Sequence, residues 1–204
     1  MDKYKLDKLP KYLHISFNDN IKLENIKQGN TFKPRGLYYA RNIEWLKFMK
    51  NGLDYKNIHF TKKYLHIVKN KYYKNYKKEK YKIPNMYLYK IIIPGNIKIS
   101  IYDKPDINKI LVLKSYKQVD IFTDKYKYKS KTKYININWK KLSKDYAGIE
   151  FTNYEKINNK IIKEIRFDIK IKHKLVWFTA FDVNGGCIWN IKSIRIKKLH
   201  SLHK

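Results

Sequence analysis

Two short stretches near the start of the chain decide how its N-terminal part folds: YLHISF at residues 12–17 and GLYYAR at residues 36–41. In the first stretch polar and apolar residues alternate, which predicts a strand with Tyr12, His14 and Ser16 on one face. The aromatic residues of the second stretch favour a neighbouring strand. The sequence therefore predicts two short strands, one carrying a histidine and the other a pair of tyrosines.

The residues around these two strands predict short helices. Residues 21–26, between the strands, have the apolar spacing of one or two helical turns. After the second strand, Asn42 is a suitable N-cap for a helix that runs through Met49, and Asn51 and Gly52 close it. The N-terminal part of the chain thus follows a β-α-β-α order.

Candidate strands dominate the remainder of the chain as short apolar or alternating runs. They cover residues 86–93, 97–101, 110–113, 119–123, 134–137, 147–151, 165–171, 176–182 and 187–191. A further helix is predicted at residues 138–144. We therefore expect an α+β fold with a mainly antiparallel, split or sandwiched sheet and a few short helices in the N-terminal half.

Length and composition limit the class of protein. Residues 1–204 are expected to form a single domain, and the aromatic fraction of 16% is too high for a disordered chain. No stretch is apolar enough to cross a bilayer, and the N-terminus lacks the apolar run of a secretory signal. The one cysteine, Cys187, has no partner in the chain for a disulfide. These features predict an intracellular protein, cytoplasmic or nuclear, with no membrane partner.

The formal charge of +30 has two explanations. Lysine provides 43 of the 47 basic residues, and lysine, isoleucine, asparagine and tyrosine all have codons rich in A and T. An A+T-rich genome, such as that of a large DNA virus acting in a host cell, produces this profile without selection for binding. The alternative is a polyanion or nucleic-acid partner. Its binding would be weakly sequence-specific, because bidentate reading of guanine is mainly a role of arginine.

The segment at residues 60–82 carries nine lysines, five tyrosines and one acid without a clear period. One interpretation is a solvated insertion or mobile loop. The other is a nucleic-acid-binding segment, in which lysines follow the phosphates and tyrosines stack on unpaired bases. The second interpretation singles out Tyr72, Lys74, Tyr76, Lys77, Lys78 and Lys80.

Polar residues embedded in apolar strands are the candidates for chemistry. His14 is either a satisfied structural residue or a ligand-binding group. Tyr38 and Tyr39 point to opposite faces of their strand, so one belongs to the core side and the other can line a cleft. Glu150, between two apolar residues, must be exposed, paired or functional, because an isolated buried charge costs several kcal/mol.

The C-terminal quarter contains two apolar runs separated by residues 184–186, which read NGG. This pattern predicts a hairpin with a tight turn. Trp177 and Trp189 should then pack near one another, as core or against a partner. Cys187 is interpreted as an inert, half-buried thiol rather than a nucleophile, since no histidine lies close to it in the sequence.

The stretch at residues 36–41, which follows a histidine strand and leads into a helix, resembles the second-strand signature of the ADP-ribosyltransferase superfamily. Poly(ADP-ribose) polymerases and diphtheria-toxin-like enzymes of this superfamily carry a His-Tyr-Glu triad on three strands. The resemblance implies that His14 hydrogen-bonds the adenosine-side ribose of NAD and that Tyr38 or Tyr39 stacks on nicotinamide. It also implies that Glu150 holds the nicotinamide ribose 2′-hydroxyl and stabilises the oxocarbenium-like transition state.

Two positions depart from the superfamily pattern. The histidine is commonly followed there by Gly or Thr, whereas this chain has Ile15 and then Ser16, which we group with the cofactor-binding residues. Glu150 is followed by more strands than in many relatives, so Glu155 and Glu164 are alternatives for its role.

Two hypotheses follow. The first is an NAD-dependent ADP-ribosyltransferase that modifies a macromolecular acceptor, which can be a protein. The alternative is a non-enzymatic, basic nucleic-acid-binding protein of a large DNA virus.

Overall fold

The computed structural model describes residues 1–21, 24–29, 31–53, 55, 58–68, 72–74, 80–82, 85–129, 133–192 and 194–200, with residues 72–74 and 80–82 described by their backbone. These residues group by their internal contacts into two compact units. The first unit comprises Met1–Lys22, Tyr39–Ile92 and Arg195–Lys204, and the second comprises Leu23–Tyr38 and Ile93–Ile194. The expectation of a single domain stays a prediction.

Strands and helices alternate along the described chain. The strands are β1 (Asp2–Lys5), β2 (Tyr12–Ser16), β3 (Leu37–Arg41), β4 (Ile58–Phe60), β5 (Tyr64–Ile67), β6 (Tyr72–Lys74), β7 (Lys80–Lys82), β8 (Tyr87–Ile92), β9 (Lys98–Ser100), β10 (Asp106–Leu113), β11 (Lys127–Lys129), β12 (Ile135–Ile137), β13 (Tyr146–Phe151), β14 (Gly185–Ile188) and β15 (Arg195–Lys198). The α-helices are α1 (Glu44–Asn51), α2 (Tyr116–Tyr126), α3 (Trp139–Asp145), α4 (Tyr154–Ile165) and α5 (Ile169–Leu175). Short 3-10 helices cover Leu6–Lys8, Gly95–Ile97 and Val176–Ala180.

The first unit is built from antiparallel pairs. Three strands form a sheet in the order β1-β5-β4, and four others follow the order β15-β8-β2-β3. Strands β6 and β7 pair as a separate hairpin. Helix α1 buries Leu46 and Met49 in an apolar core that also contains Leu13, Leu65 and Leu88.

The second unit has a mixed sheet in the order β14-β13-β10-β9. Strands β9, β10 and β13 run parallel, and β14 pairs antiparallel with β13. The connection between the parallel strands β10 and β13 is long and contains α2 and α3, whereas residues 101–105 join β9 to β10. Helices α4 and α5 lie in the connection from β13 to β14.

A cluster of aromatic side chains forms the core of the second unit. The buried Trp177 ring lies with its centroid 5.5–6.3 Å from the centroids of five neighbouring rings, and its Nε1 donates a hydrogen bond of 3.0 Å to Thr123 Oγ1. The five rings are those of Phe122, Trp139, Phe151, Phe178 and Phe181. Trp189 is buried in the same cluster, so both tryptophans are core residues.

The α+β class is confirmed, and so is the antiparallel character of most pairings. The position of the helices differs from the expectation, because four of the five described α-helices lie in the second half of the chain. None of the helices in the described part of the chain has the length and apolar character needed to cross a bilayer.

Three predicted strands are wrong. Residues 119–123 belong to α2, residues 165–171 span the end of α4 and the start of α5, and residues 176–182 contain a 3-10 helix. In α2 the buried side chains are Val119, Phe122, Thr123 and Tyr126, which recur at helical spacing over a window longer than the apolar run itself. Caps at Ser115 and Asp168 mark the starts of α2 and α5.

The predicted hairpin at residues 184–186 is also wrong, because Gly185 and Gly186 lie inside β14 and pair with β13. The described part of residues 21–26 is not helical. The backbone of this segment instead hydrogen-bonds to the residue that follows β14, since Ile26 N donates to the carbonyl of Trp189. Helix α1 begins at Glu44, and Asn42 has a left-handed φ of 50° just before it.

The buried position of Trp177 predicts a large loss of stability on truncation. Trp177→Ala should lower the free energy of unfolding by about 3–5 kcal/mol, the range for buried large aromatics. Denaturant unfolding followed by circular dichroism measures this. Phe167→Ala serves as the control, because that ring is exposed and its removal should cost less than about 0.5 kcal/mol. Equal losses of stability in the two variants would contradict the assignment of Trp177 to the core.

Candidate functional site

Strand β2 of the first unit carries the polar row that the alternation predicts. Leu13 is buried in the apolar core, and it lies opposite Ala40 of β3 while Tyr12 lies opposite Arg41. Side chains alternate along a strand, so His14 and Ser16 share the face of Tyr12. Arg41 lies opposite Tyr12 and so points to the same face. Tyr39 is two residues from Arg41 on β3 and therefore points to this face as well.

Aromatic rings surround the polar row. The rings of Tyr12 and Tyr39 meet edge to face with centroids 5.3 Å apart. His14 lies opposite Tyr89 of β8, and their ring centroids are 6.2 Å apart. We call this set, Tyr12, His14, Ser16, Tyr39 and Tyr89, the His14 face. Its three tyrosines are buried, whereas His14 and Ser16 are partly exposed, so an imidazole and a hydroxyl reach the surface beside covered aromatic rings. Imidazole and hydroxyl groups can bind ribose hydroxyls.

Tyr38 belongs to the second unit and is engaged there. Its side chain is 37% exposed, but the hydroxyl donates a 2.5 Å hydrogen bond to the carbonyl of Pro34 and lies beside the Cys187 thiol. Burial, followed by the neighbouring thiol, raises the pKa of Tyr38 above its ordinary value. The tyrosine that shares a face with His14 is therefore Tyr39.

Cys187 is fully buried rather than half-buried. Burial raises the pKa of its thiol, and the hydrogen bond with Tyr38 opposes this only in part. Gly36 packs against it: a Cβ at this position would stand 2.7 Å from Cys187 Sγ and 2.5 Å from the carbonyl oxygen of Ile188. The neutral, covered thiol is structural, which agrees with its interpretation as inert.

Glu150 lies on the sheet face opposite the aromatic core of the second unit. Its neighbours Ile149 and Phe151 are members of that core, so the carboxylate points the other way. It is fully buried, and among the described residues it is the one buried side chain with a formal charge. Lys98 Nζ, whose side chain is 19% exposed, forms an ion pair with Glu150 Oε2.

The strand register places Lys98 and Glu150 on one face of the sheet. Glu150 lies opposite Gly186 of β14, and Gly148 stands on the same face two residues earlier. Lys98 is opposite Ile110 of β10, which in turn is opposite Gly148. The ion pair therefore joins the outer strand β9 to β13 across the intervening strand β10.

The predicted site residues are divided between the two units, and some lie outside the described residues. His14, Ser16 and Tyr39 share a face in the first unit, whereas Tyr38 and Glu150 belong to the second unit. Tyr72, Lys74 and Lys80 lie in the hairpin strands β6 and β7, and their side chains are outside the described set. Tyr76, Lys77 and Lys78 lie outside the described residues altogether.

Lys98 is the residue beside Glu150 that sequence reasoning missed. It lies in a run whose alternation correctly predicts a half-buried strand, yet nothing in that run distinguishes it from the many solvated lysines. Only the strand order, which places β9 beside β10 and β10 beside β13, brings it to Glu150. Comparison of the chain with protein-family models, curated proteins and solved structures found no match.

The ion pair predicts a strong dependence of stability on Lys98. Lys98→Met removes a cation from beside a buried carboxylate and should lower the free energy of unfolding by about 3–5 kcal/mol. The double variant Lys98→Met with Glu150→Gln should regain most of that stability, as measured by urea unfolding. Lys109→Met is the matched control, because its ion pair with Asp106 is half exposed and should contribute less than about 1 kcal/mol. A destabilisation by Lys98→Met no larger than in the control would be inconsistent with this pairing.

Because the Cys187 thiol is buried, we expect it to react slowly with thiol reagents. Since burial raises its pKa and covers the sulfur, a thiol-specific disulfide reagent at pH 8 should not label the folded protein within an hour. Labelling should be complete in denaturant, and the single cysteine makes the absorbance change specific for this site. Rapid labelling of the native protein would show that the thiol is accessible.

Proposed function

We propose that this chain is an NAD-dependent ADP-ribosyltransferase-like enzyme that acts on a macromolecular acceptor inside the cell. The observation that carries the proposal is the placement of His14 and Tyr39 on one face of neighbouring antiparallel strands. In the proposed role His14 hydrogen-bonds the adenosine-side ribose, with Ser16 beside it. Tyr39 is only 5% exposed, so its ring stacks on nicotinamide only when it is uncovered.

Glu150 is the proposed carboxylate of the reaction. The bond between the nicotinamide nitrogen and ribose C1′ breaks, and its electron pair leaves with nicotinamide. An acceptor nucleophile then bonds to C1′ and releases its proton to solvent. Negative charge beside the ribose favours this step, since the sugar becomes positive in the transition state.

The His14 face and Glu150 do not fit NAD equally well. The His14 face offers hydrogen-bonding groups beside aromatic rings, which suits a ribose and a base. Glu150 is covered and bound to Lys98, so it fits a sugar hydroxyl only when that hydroxyl replaces the lysine. The proposal thus requires the Glu150 carboxylate to become accessible when NAD binds.

Release of nicotinamide from NAD tests the proposal. His14→Ala should weaken NAD binding measured by calorimetry, and Glu150→Gln should slow nicotinamide release at least about 100-fold with the fold retained by circular dichroism. His59→Ala and Glu24→Gln are the matched controls, because both residues are exposed and neither has a role in the proposed site. The absence of detectable binding at millimolar NAD in a folded sample would sink the proposal.

A further inference from the structure

The corner between α4 and α5 in the second unit is held rigidly by hydrogen bonds. Phe167 N and Asp168 N both donate to the carbonyl of Glu164, at 3.0 and 2.9 Å. Asp168 then caps α5, its Oδ1 accepting from the backbone of Lys170 at 2.7 Å and of Ile171 at 3.3 Å. The backbone position of Phe167 is therefore fixed by the turn on both sides.

The Phe167 side chain projects from this corner into solvent. It is 90% exposed, more than any other large apolar side chain in the described part of the chain, and Ile169 nearby is 56% exposed. The core-facing side of α4 is made by Tyr154, Ile157 and Ile161, which are buried. Phe167 therefore makes no contribution to the core, although hydrogen bonds hold the turn that carries it.

A row of cations leads along α4 to this ring. Lys156, Lys160 and Lys163 are exposed at spacings of four and three residues, so they lie on one side of the helix over about 10 Å. Together with Asn159 and Glu155 they line an open depression on the surface. Phe167 follows Lys163 by four residues and lies in the turn just past the end of the helix.

Positive charge dominates around the ring. Arg166 directly precedes Phe167, Lys170 follows it by three residues, and both are exposed. Two of the nearby acids are engaged, since Glu164 pairs with Lys160 at 3.7 Å and Asp168 caps α5, while Glu155 lies in the depression with the lysines. The corner therefore presents one aromatic ring at the end of a basic row, and we name this surface, Lys156, Lys160, Lys163, Arg166 and Phe167, the α4 ridge.

We propose that the α4 ridge binds single-stranded nucleic acid, with backbone phosphates along the lysine row and one base stacked on Phe167. Lysine point charges and an exposed ring are the two components of sequence-tolerant single-strand binding. A membrane surface fits less well, because an interfacial helix needs a broad apolar face and that of α4 is buried in the core. The inference does not depend on the proposed enzymatic activity.

Fluorescence anisotropy of a short labelled oligothymidylate, with the full chain, tests this assignment. Phe167→Ala should weaken binding about 5- to 150-fold, the effect of removing one stacked base, while Phe167→Trp should preserve it. Tyr102→Ala removes another exposed ring, 62% exposed, and should change affinity less than about two-fold. An oligomer of mixed sequence should behave like the oligothymidylate.

The lysine row is tested by its salt dependence. The variant with Lys156, Lys160 and Lys163 changed to Gln should reduce the slope of log affinity against log salt by about 0.7 for each phosphate that is no longer neutralised. A control with the exposed Lys47, Lys90 and Lys104 changed to Gln has the same net charge and should keep the slope of the wild type. Equal effects of the two triple variants, unchanged binding in Phe167→Ala, or binding to phosphatidylserine vesicles without binding to the oligomers would each overturn the proposal.

Discussion

The buried strand β13 is the constraint on which the second unit depends. All six of its residues are buried, and its two faces have opposite chemistry. Ile149 and Phe151 enter the aromatic core, while Glu150 on the other face requires a cation. Gly148 allows β14 to lie close to this strand, because a Cβ there would stand 2.7 Å from the carbonyl oxygen of Cys187 on β14. Close strand pairing thus rests on an absent side chain, and the ion pair rests on the strand order.

The few acidic residues are largely used to hold the structure together. Asp124 accepts hydrogen bonds from Lys127 and Lys174, and these bonds hold the pKa of its carboxyl below the ordinary value. Asp168 caps a helix and Glu150 pairs inside the sheet. Because 17 acids face 47 basic residues, most lysines remain as solvated charge. This excess of positive charge is spread over the whole chain whatever the origin of its composition, so composition alone does not single out a binding site.

Sequence periodicity predicted the strands better than the helices. The alternation at residues 12–17 placed His14 correctly opposite the core face, because a period of two is visible within five residues. Residues 119–123 show why the helices were missed: a short apolar run fits either structure, and the deciding cap at Ser115 lies outside it. The glycines at 185 and 186 suggested a turn, whereas both lie in β14 and pair with β13.

The sequence by itself determined the α+β class and the polar row of β2, because both follow from local patterns of apolar residues. It left open whether Trp177 and Trp189 are core residues, and the tertiary structure decided that they are. Tertiary structure alone decided that Tyr39 rather than Tyr38 shares the face of His14, since this depends on the register of β2 against β3. It also decided that Glu150 meets Lys98, 52 residues away. Strand order fixes such pairings between residues distant in the chain, and no local pattern encodes that order.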